Sequence, residues 1–370
     1  MRASRSTRLQ PVLLATLLGL AACGAESQEG PRPLAPDEAF LRWRLTEAEV
    51  EDLFEMKASE LEYDPDTYRR RKAHWQRYYP WPEHPDGGFL MRTNGAHLRE
   101  DDEISEEAPD LRILVTGDSH TDGACNNAET YTNVLERRLG EAYPDKRVDA
   151  LNAGHGGFSF FSFLGVLHKY MDTNPRVFII GVFGGNDFAE VLAPFHYLQG
   201  RRRPTAKGDY VARLRTAEKI RDRSGFRALN QGFNQLVYFQ QHPDQVEIAY
   251  QAAETVLREI QRVCEENGIR LIVVYIPPPA DVQPQRFDGL FDEVSEALAL
   301  TPGARVLNDL LASRLLRFLR ARGIETVDGR EVFAGRSELL YWKFDQHINL
   351  AAHRLLAEAL VPLLESELRE

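Results

Sequence analysis

Four short polar clusters carry the residue types of acyl-transfer chemistry. They are Gly117-Asp118-Ser119-His120-Thr121, Asn152-Ala153-Gly154-His155-Gly156-Gly157, Gly184-Gly185-Asn186-Asp187 and Asp345-Gln346-His347. A serine hydroxyl becomes a competent nucleophile beside a base, and an imidazole serves as that base when a carboxylate holds its tautomer. Ser119, His347 and Asp345 supply those three types. The tetrahedral intermediate of such chemistry also needs amide donors for its oxyanion. Glycine lets a backbone N–H approach closely, and an asparagine amide donates without carrying charge. Each cluster also has a plainer reading. Ser119 could cap a helix, Asn186-Asp187 could be turn residues, and Asp345 and His347 could solvate a helix start. Their convergence at one edge of a fold is what would make a site.

The elements that must position them are written in the spacing of apolar residues. Short apolar runs at 112–117, 148–152, 177–182, 269–276 and, more weakly, 324–327 read as buried strands. Helical spacing fills 128–139, 160–171, 246–264, 304–322 and 350–364, with Gly268 and Pro277-Pro278-Pro279 as stops. This alternation predicts a three-layer α/β/α sandwich around a mainly parallel five-stranded, flavodoxin-like sheet. Ligands of such sheets bind beyond the C-terminal strand ends, where the first three clusters fall. Residues 36–110 are charged and aromatic, broken by Tyr78-Tyr79-Pro80-Trp81-Pro82, and are expected to wrap the domain of 111–370. The stretch 188–244 is too long for a plain connection and is expected to form a lid-like insertion. Within it, residues 201–227 carry ten basic side chains against three acidic ones. That predicts either a solvated charged loop or a cationic face for an anionic substrate or membrane surface.

In order along the chain, the GDS at 117–119, Gly154, the GxND at 184–187 and the C-terminal Asp345/His347 pair resemble the four sequence blocks of the SGNH (GDSL-type) esterase family. The likeness runs from about residue 92 to residue 364. It implies the SGNH hydrolase fold and hydrolysis of carboxylic esters through an acyl-enzyme, without metal or organic cofactor. It also implies the roles: Ser119 as nucleophile, His347 as base, Asp345 as its orienting acid, and Ser119, Gly154 and Asn186 as the oxyanion hole. The implied substrate is an acylated small molecule, lipid or glycan. Many members space the last pair as Asp-x-x-His, whereas this chain has Asp345-x-His347. The shorter spacing also resembles SGNH-like polysaccharide O-acetyltransferases, so hydrolase and envelope-glycan acyltransferase stay open, as does a catalytically silent binding protein. Asp118-Ser119-His120 matches the Asp-x-His opening of metallophosphoesterases, but their GDxxD and GNH(D/E) motifs do not occur, nor does a G-x-S-x-G elbow.

At the N-terminus, Arg2, Arg5 and Arg8 precede a short apolar stretch at 11–22. Leu20-Ala21-Ala22-Cys23 resembles the lipobox of bacterial lipoproteins. The expectation is a signal peptide at 1–22, lipidation of Cys23, and a small, polar tether at 23–35. The protein would then be held at a membrane of the cell envelope, facing the periplasm or the exterior. The chain of 370 residues has 45 Lys and Arg against 56 Asp and Glu, a net charge of −11, which argues against nucleic acid as a partner. Beyond Cys23 only Cys125 and Cys264 remain, without Cys-x-x-Cys or Cys/His ligand spacing, so no metal site is expected.

Overall fold

The computed structural model describes residues 43–54, 59–225 and 230–369. The expected signal peptide, Cys23 and the tether lie outside the described residues. The described chain begins with helix α1 (Glu47–Leu53), whose Thr46 and Glu49 form a reciprocal capping box. Two antiparallel hairpins follow, β1–β2 (Leu61–Asp64, Tyr68–Arg71) and β3–β4 (Gln76–Pro80, Gly88–Arg92). Isolated two-stranded hairpins bury too little to stand alone in water. Both are tied to the domain that follows.

That domain is built on β5 (Leu111–Gly117), β6 (Val148–Asn152), β7 (Val177–Phe183), β8 (Arg270–Ile276) and β9 (Glu325–Asp328). The five strands form one sheet in the order β6-β5-β7-β8-β9, and every neighbouring pair is parallel. Every residue of β5 and β7 is buried, as a parallel sheet covered on both faces requires. The strand order reverses at β5, so the loops leaving β5 and its neighbours open a crevice at the C-terminal edge.

Helices α2 (Ser119–Asp122), α3 (Tyr131–Ala142), α4 (Phe160–Lys169), α5 (Asp187–Glu190), α6 (Leu192–Leu198), α7 (Tyr210–Ser224), α8 (Asn230–Gln241) and α9 (Asp244–Glu266) come before β8. After it come α10 (Pro279–Val282), α11 (Pro284–Ala297), α12 (Pro302–Arg305), α13 (Leu307–Ala321), α14 (Gly329–Phe333) and α15 (Leu350–Leu364). One face of the sheet is packed by α4, α9 and α13, and the opposite face by α3, α11 and α15. The stretch 188–244, expected as a lid-like insertion, is largely helical. The helix expected from residue 128 begins at Tyr131, because Asn127–Glu129 make a 3₁₀ turn and Thr130 caps α3. No helix of the described residues is long and apolar enough to cross a membrane. Cys125 and Cys264 are both buried and unbridged.

Charged anchors dock the hairpins. Arg71 grips Asp122 through two contacts of 2.7 and 2.6 Å, and Lys169 reaches Asp64 at 2.5 Å. Arg99, only 1% exposed, donates to the Gly123 and Cys125 carbonyls and to Asn127 Oδ1. A buried guanidinium is tolerable when its donors are met in this way.

Candidate active site

β5 ends at Gly117, and the chain turns straight into α2. Asp118 is the cap of that helix: its Oδ1 accepts the His120 N–H at 2.8 Å. The capping role that Ser119 could have taken is thus filled by its neighbour. Ser119 is half-buried, while Asp118, His120 and Thr121 are buried. A serine at this position is free to do something other than hold the helix.

The loop before α15 brings Asp345 and His347 together. Asp345 Oδ1 accepts the backbone N–H of His347 at 2.9 Å and also pairs with His347 Nδ1. This is the geometry of an aspartate turn, in which a side chain bonds the backbone two residues on. It explains why one intervening residue suffices between Asp345 and His347. With Nδ1 donating to the carboxylate, Nε2 is left as an acceptor, and it has no hydrogen-bond partner among the described residues. Asp345 is 9% exposed and His347 4%. Burial opposes charge on both, but each raises the charged form of the other. The His347 pKa therefore lies above its ordinary value and that of Asp345 below.

His120 joins this loop to the end of β5. Its ring stacks on Phe183 at 3.8 Å, lies 5.0 Å from the His347 ring, and its Nδ1 accepts the Ile348 N–H at 3.4 Å. His347 is thus held against the residue that follows Ser119. Ser119 and His347 are not hydrogen-bonded to each other. Such bonds commonly tighten only when substrate is bound.

The same loop is held from the N-terminal segment. Glu83, between β3 and β4, accepts the Lys343 N–H at 2.6 Å and the Phe344 N–H at 2.7 Å. Trp342 is buried against Trp81 and His84. Small misplacements of reacting groups can cost up to ~10²-fold in rate. Glu83→Ala is therefore expected to lower kcat about 10-fold or more with little change in KM. Glu83→Gln, which keeps an acceptor oxygen, should recover most of it. Steady-state kinetics of both variants check this, and equal losses would remove the positioning role.

The oxyanion side departs from the expectation. The Gly154 N–H donates to Asn152 Oδ1 at 3.0 Å. A Cβ at Gly154 would lie 2.7 Å from Thr121 Cγ2 and 2.8 Å from the Asp122 nitrogen. Gly154 is there because β6 and α2 approach too closely for a side chain, and its amide is already spent. Gly156 lies beside Ser119: a Cβ there would sit 3.6 Å from Ser119 Cβ. Gly157 follows with φ +78°. Asn186 donates through Nδ2 to Glu190 Oε1 at 2.7 Å, which orients its amide and leaves its second N–H. Burial raises the pKa values of Asp118 and Asp187 alike, to about 7 for Asp118, so the groove is less negative than its acid count suggests.

His155 and His353 take structural places: His155 Nδ1 bonds the Gly156 carbonyl at 2.8 Å, and His353 Nδ1 accepts the Tyr131 N–H at 3.1 Å. Among the described residues, His84, Asp86 and Glu129 have metal-ligand spacing. His84, however, uses Nε2 on Glu129 at 2.9 Å and Nδ1 on the Asp86 N–H at 3.2 Å.

The basic insertion does border the site. At Gly225, which ends α7, a Cβ would lie 3.3 Å from Phe344 and 3.6 Å from Lys343. Its arginine triplet is partly engaged, with Arg201 and Arg202 still exposed. Arg203 donates to the Ala189 carbonyl at 3.0 Å and stacks over Tyr238, Arg202 pairs with Asp52, and Arg201 bonds Gln199. Sequence reasoning missed Glu83, the Arg71–Asp122 pair and Arg69, which donates to the Gly157 carbonyl at 2.9 Å. Their one sequence signal was the break at Tyr78-Tyr79-Pro80-Trp81-Pro82, which says turn but not partner.

No family model matches the chain, and no curated protein does. Solved structures do. A psychrotrophic esterase from Pseudoalteromonas is 12% identical, with 70% of this chain and 99% of that one covered and a TM-score of 0.39. A lipase/acylhydrolase from Enterococcus faecalis is 14% identical, covering 69% and 96%, with a TM-score of 0.36. A variant of an acetyl-xylooligosaccharide esterase from Geobacillus is 13% identical, covering 71% and 96%, with a TM-score of 0.36. At identities and TM-scores this low, what the chain does has to be argued from its own residues.

Proposed function

We propose that this protein is a serine esterase of the SGNH type, acting on carboxylic esters through an acyl-enzyme at Ser119. The observation that carries the reading is the buried Asp345–His347 pair with an unpartnered Nε2, held through His120 beside a half-buried serine at a strand end. Substrate brings Ser119 Oγ and His347 Nε2 into contact; the imidazole takes the hydroxyl proton as Oγ attacks the ester carbonyl. Asp345 stabilises the imidazolium that forms. The oxyanion is met by the Ser119 N–H, by Gly156 in the place expected of Gly154, and by the second N–H of Asn186. His347 returns the proton to the departing alcohol, and water then repeats the sequence on the acyl-enzyme.

Acyl transfer to an envelope glycan would use the same first half-reaction, with a sugar hydroxyl in place of water; the Asp345-x-His347 spacing is what favours it. A fluorophosphonate probe should label Ser119, and p-nitrophenyl acetate should yield free acid. Transfer to an added glycan outpacing hydrolysis would make the protein a transferase. Absence of labelling would leave a binding protein on a silent scaffold. We further propose that the chain is lipid-anchored through Cys23. Cys23→Ser should move it from the membrane to the soluble fraction of the cell envelope, and membrane association that survives both this change and high salt would remove the anchor.

A further inference from the structure

Arg69, on β2, is an under-used buried cation. It is 9% exposed, and its Nη2 donates to the Gly157 carbonyl at 2.9 Å. A guanidinium carries five N–H bonds. Among the described residues, no other hydrogen bond and no ion pair is made by this one. The carboxylate that acts on it from a distance, Glu190, is bonded to Asn186 and shared electrostatically with Arg203. Arg71 and Arg99 nearby differ, since both are engaged with Asp122.

Its place gives the unspent donors a purpose. Gly157 lies on the loop after β6, and Glu190 ends the short helix after β7. β6 and β7 flank β5, whose end carries Ser119. The guanidinium therefore sits against the loop after β6 that borders Ser119, with the Glu190 charge acting on it from a distance. Gly157 makes room for it: a Cβ there would lie 1.9 Å from Nη2. The donors not spent on Gly157 are not sealed from solvent, and a planar guanidinium fork matches a carboxylate with two parallel bonds.

We propose that Arg69 receives a carboxylate of the substrate, so that the preferred ester carries an acid group close to the scissile bond. This rests on the esterase reading above.

The test compares mono-p-nitrophenyl succinate with p-nitrophenyl acetate. Arg69→Gln should lower the succinate-to-acetate ratio of kcat/KM by about 10- to 100-fold, the worth of a charged hydrogen bond, and Arg69→Lys should restore part of it. Any loss through the Gly157 contact affects both esters and divides out of the ratio. An unchanged ratio overturns the proposal. Succinate binding, read by calorimetry on Ser119→Ala, does not depend on turnover. It should vanish when Arg69→Gln is added. If succinate binds in an Arg69-dependent way while no ester is hydrolysed, the esterase reading fails and the carboxylate site stands. If succinate binding is absent, or indifferent to Arg69, the site fails whatever the esters do.

Discussion

Ser119→Ala should abolish ester turnover, by about 10⁶-fold if the triad acts as a unit, while the fold stays intact. The second half of that expectation is structural. Asp118, not Ser119, caps α2, and Ser119 is half-buried, so losing its hydroxyl removes no cap and opens no core cavity. Substitutions of that kind usually move stability by no more than ~0.5 kcal/mol. Kinetics and a thermal melt on the same preparation check both parts. Near-full activity in Ser119→Ala would remove the serine from the mechanism; a large drop in melting temperature would show that its role had been misread as purely chemical.

Asp345→Asn should lower the rate by up to ~10⁴-fold, because an amide at that place offers His347 a donor as well as an acceptor and disfavours the needed tautomer. It should also move the pH dependence, in a direction the structure sets. His347 must be neutral to take the serine proton, so kcat/KM rises with pH as the imidazolium deprotonates. In the wild type burial opposes the imidazolium, but Asp345, with Asp118 and Asp122, outweighs it and lifts the pKa above ~6.5. The acid limb should accordingly have its midpoint above that value. Removing the Asp345 charge takes away the main raising influence, so the midpoint should fall to lower pH while the plateau drops. A pH–rate profile of the two proteins decides the matter. A midpoint that stayed put or rose in Asp345→Asn would mean that His347 is not the titrating base.

The layout of strands and helices was open to reading because burial is periodic and local. β6 at 148–152 and α15 at 350–364 fall where the apolar spacing puts them, since a strand covered on both faces and an amphipathic helix each repeat their signal over several residues. The places of the candidate residues were also legible: Ser119 follows the end of β5, and Asp345 and His347 precede α15. Which amide is available and which charge is free were not legible. Gly154 and Gly156 look alike in sequence; the approach of α2 and the Asn152 side chain engage one and leave the other beside Ser119. The count of arginines at 201–203 could not show that Ala189, Asp52 and Gln199 would engage them. Nor could any pattern show that Glu83 would hold a loop some 260 residues away, or that Arg69 would reach the loop beside Ser119. Single polar contacts across such separations leave no periodic trace, and they exist only once the hairpins have docked on the sheet.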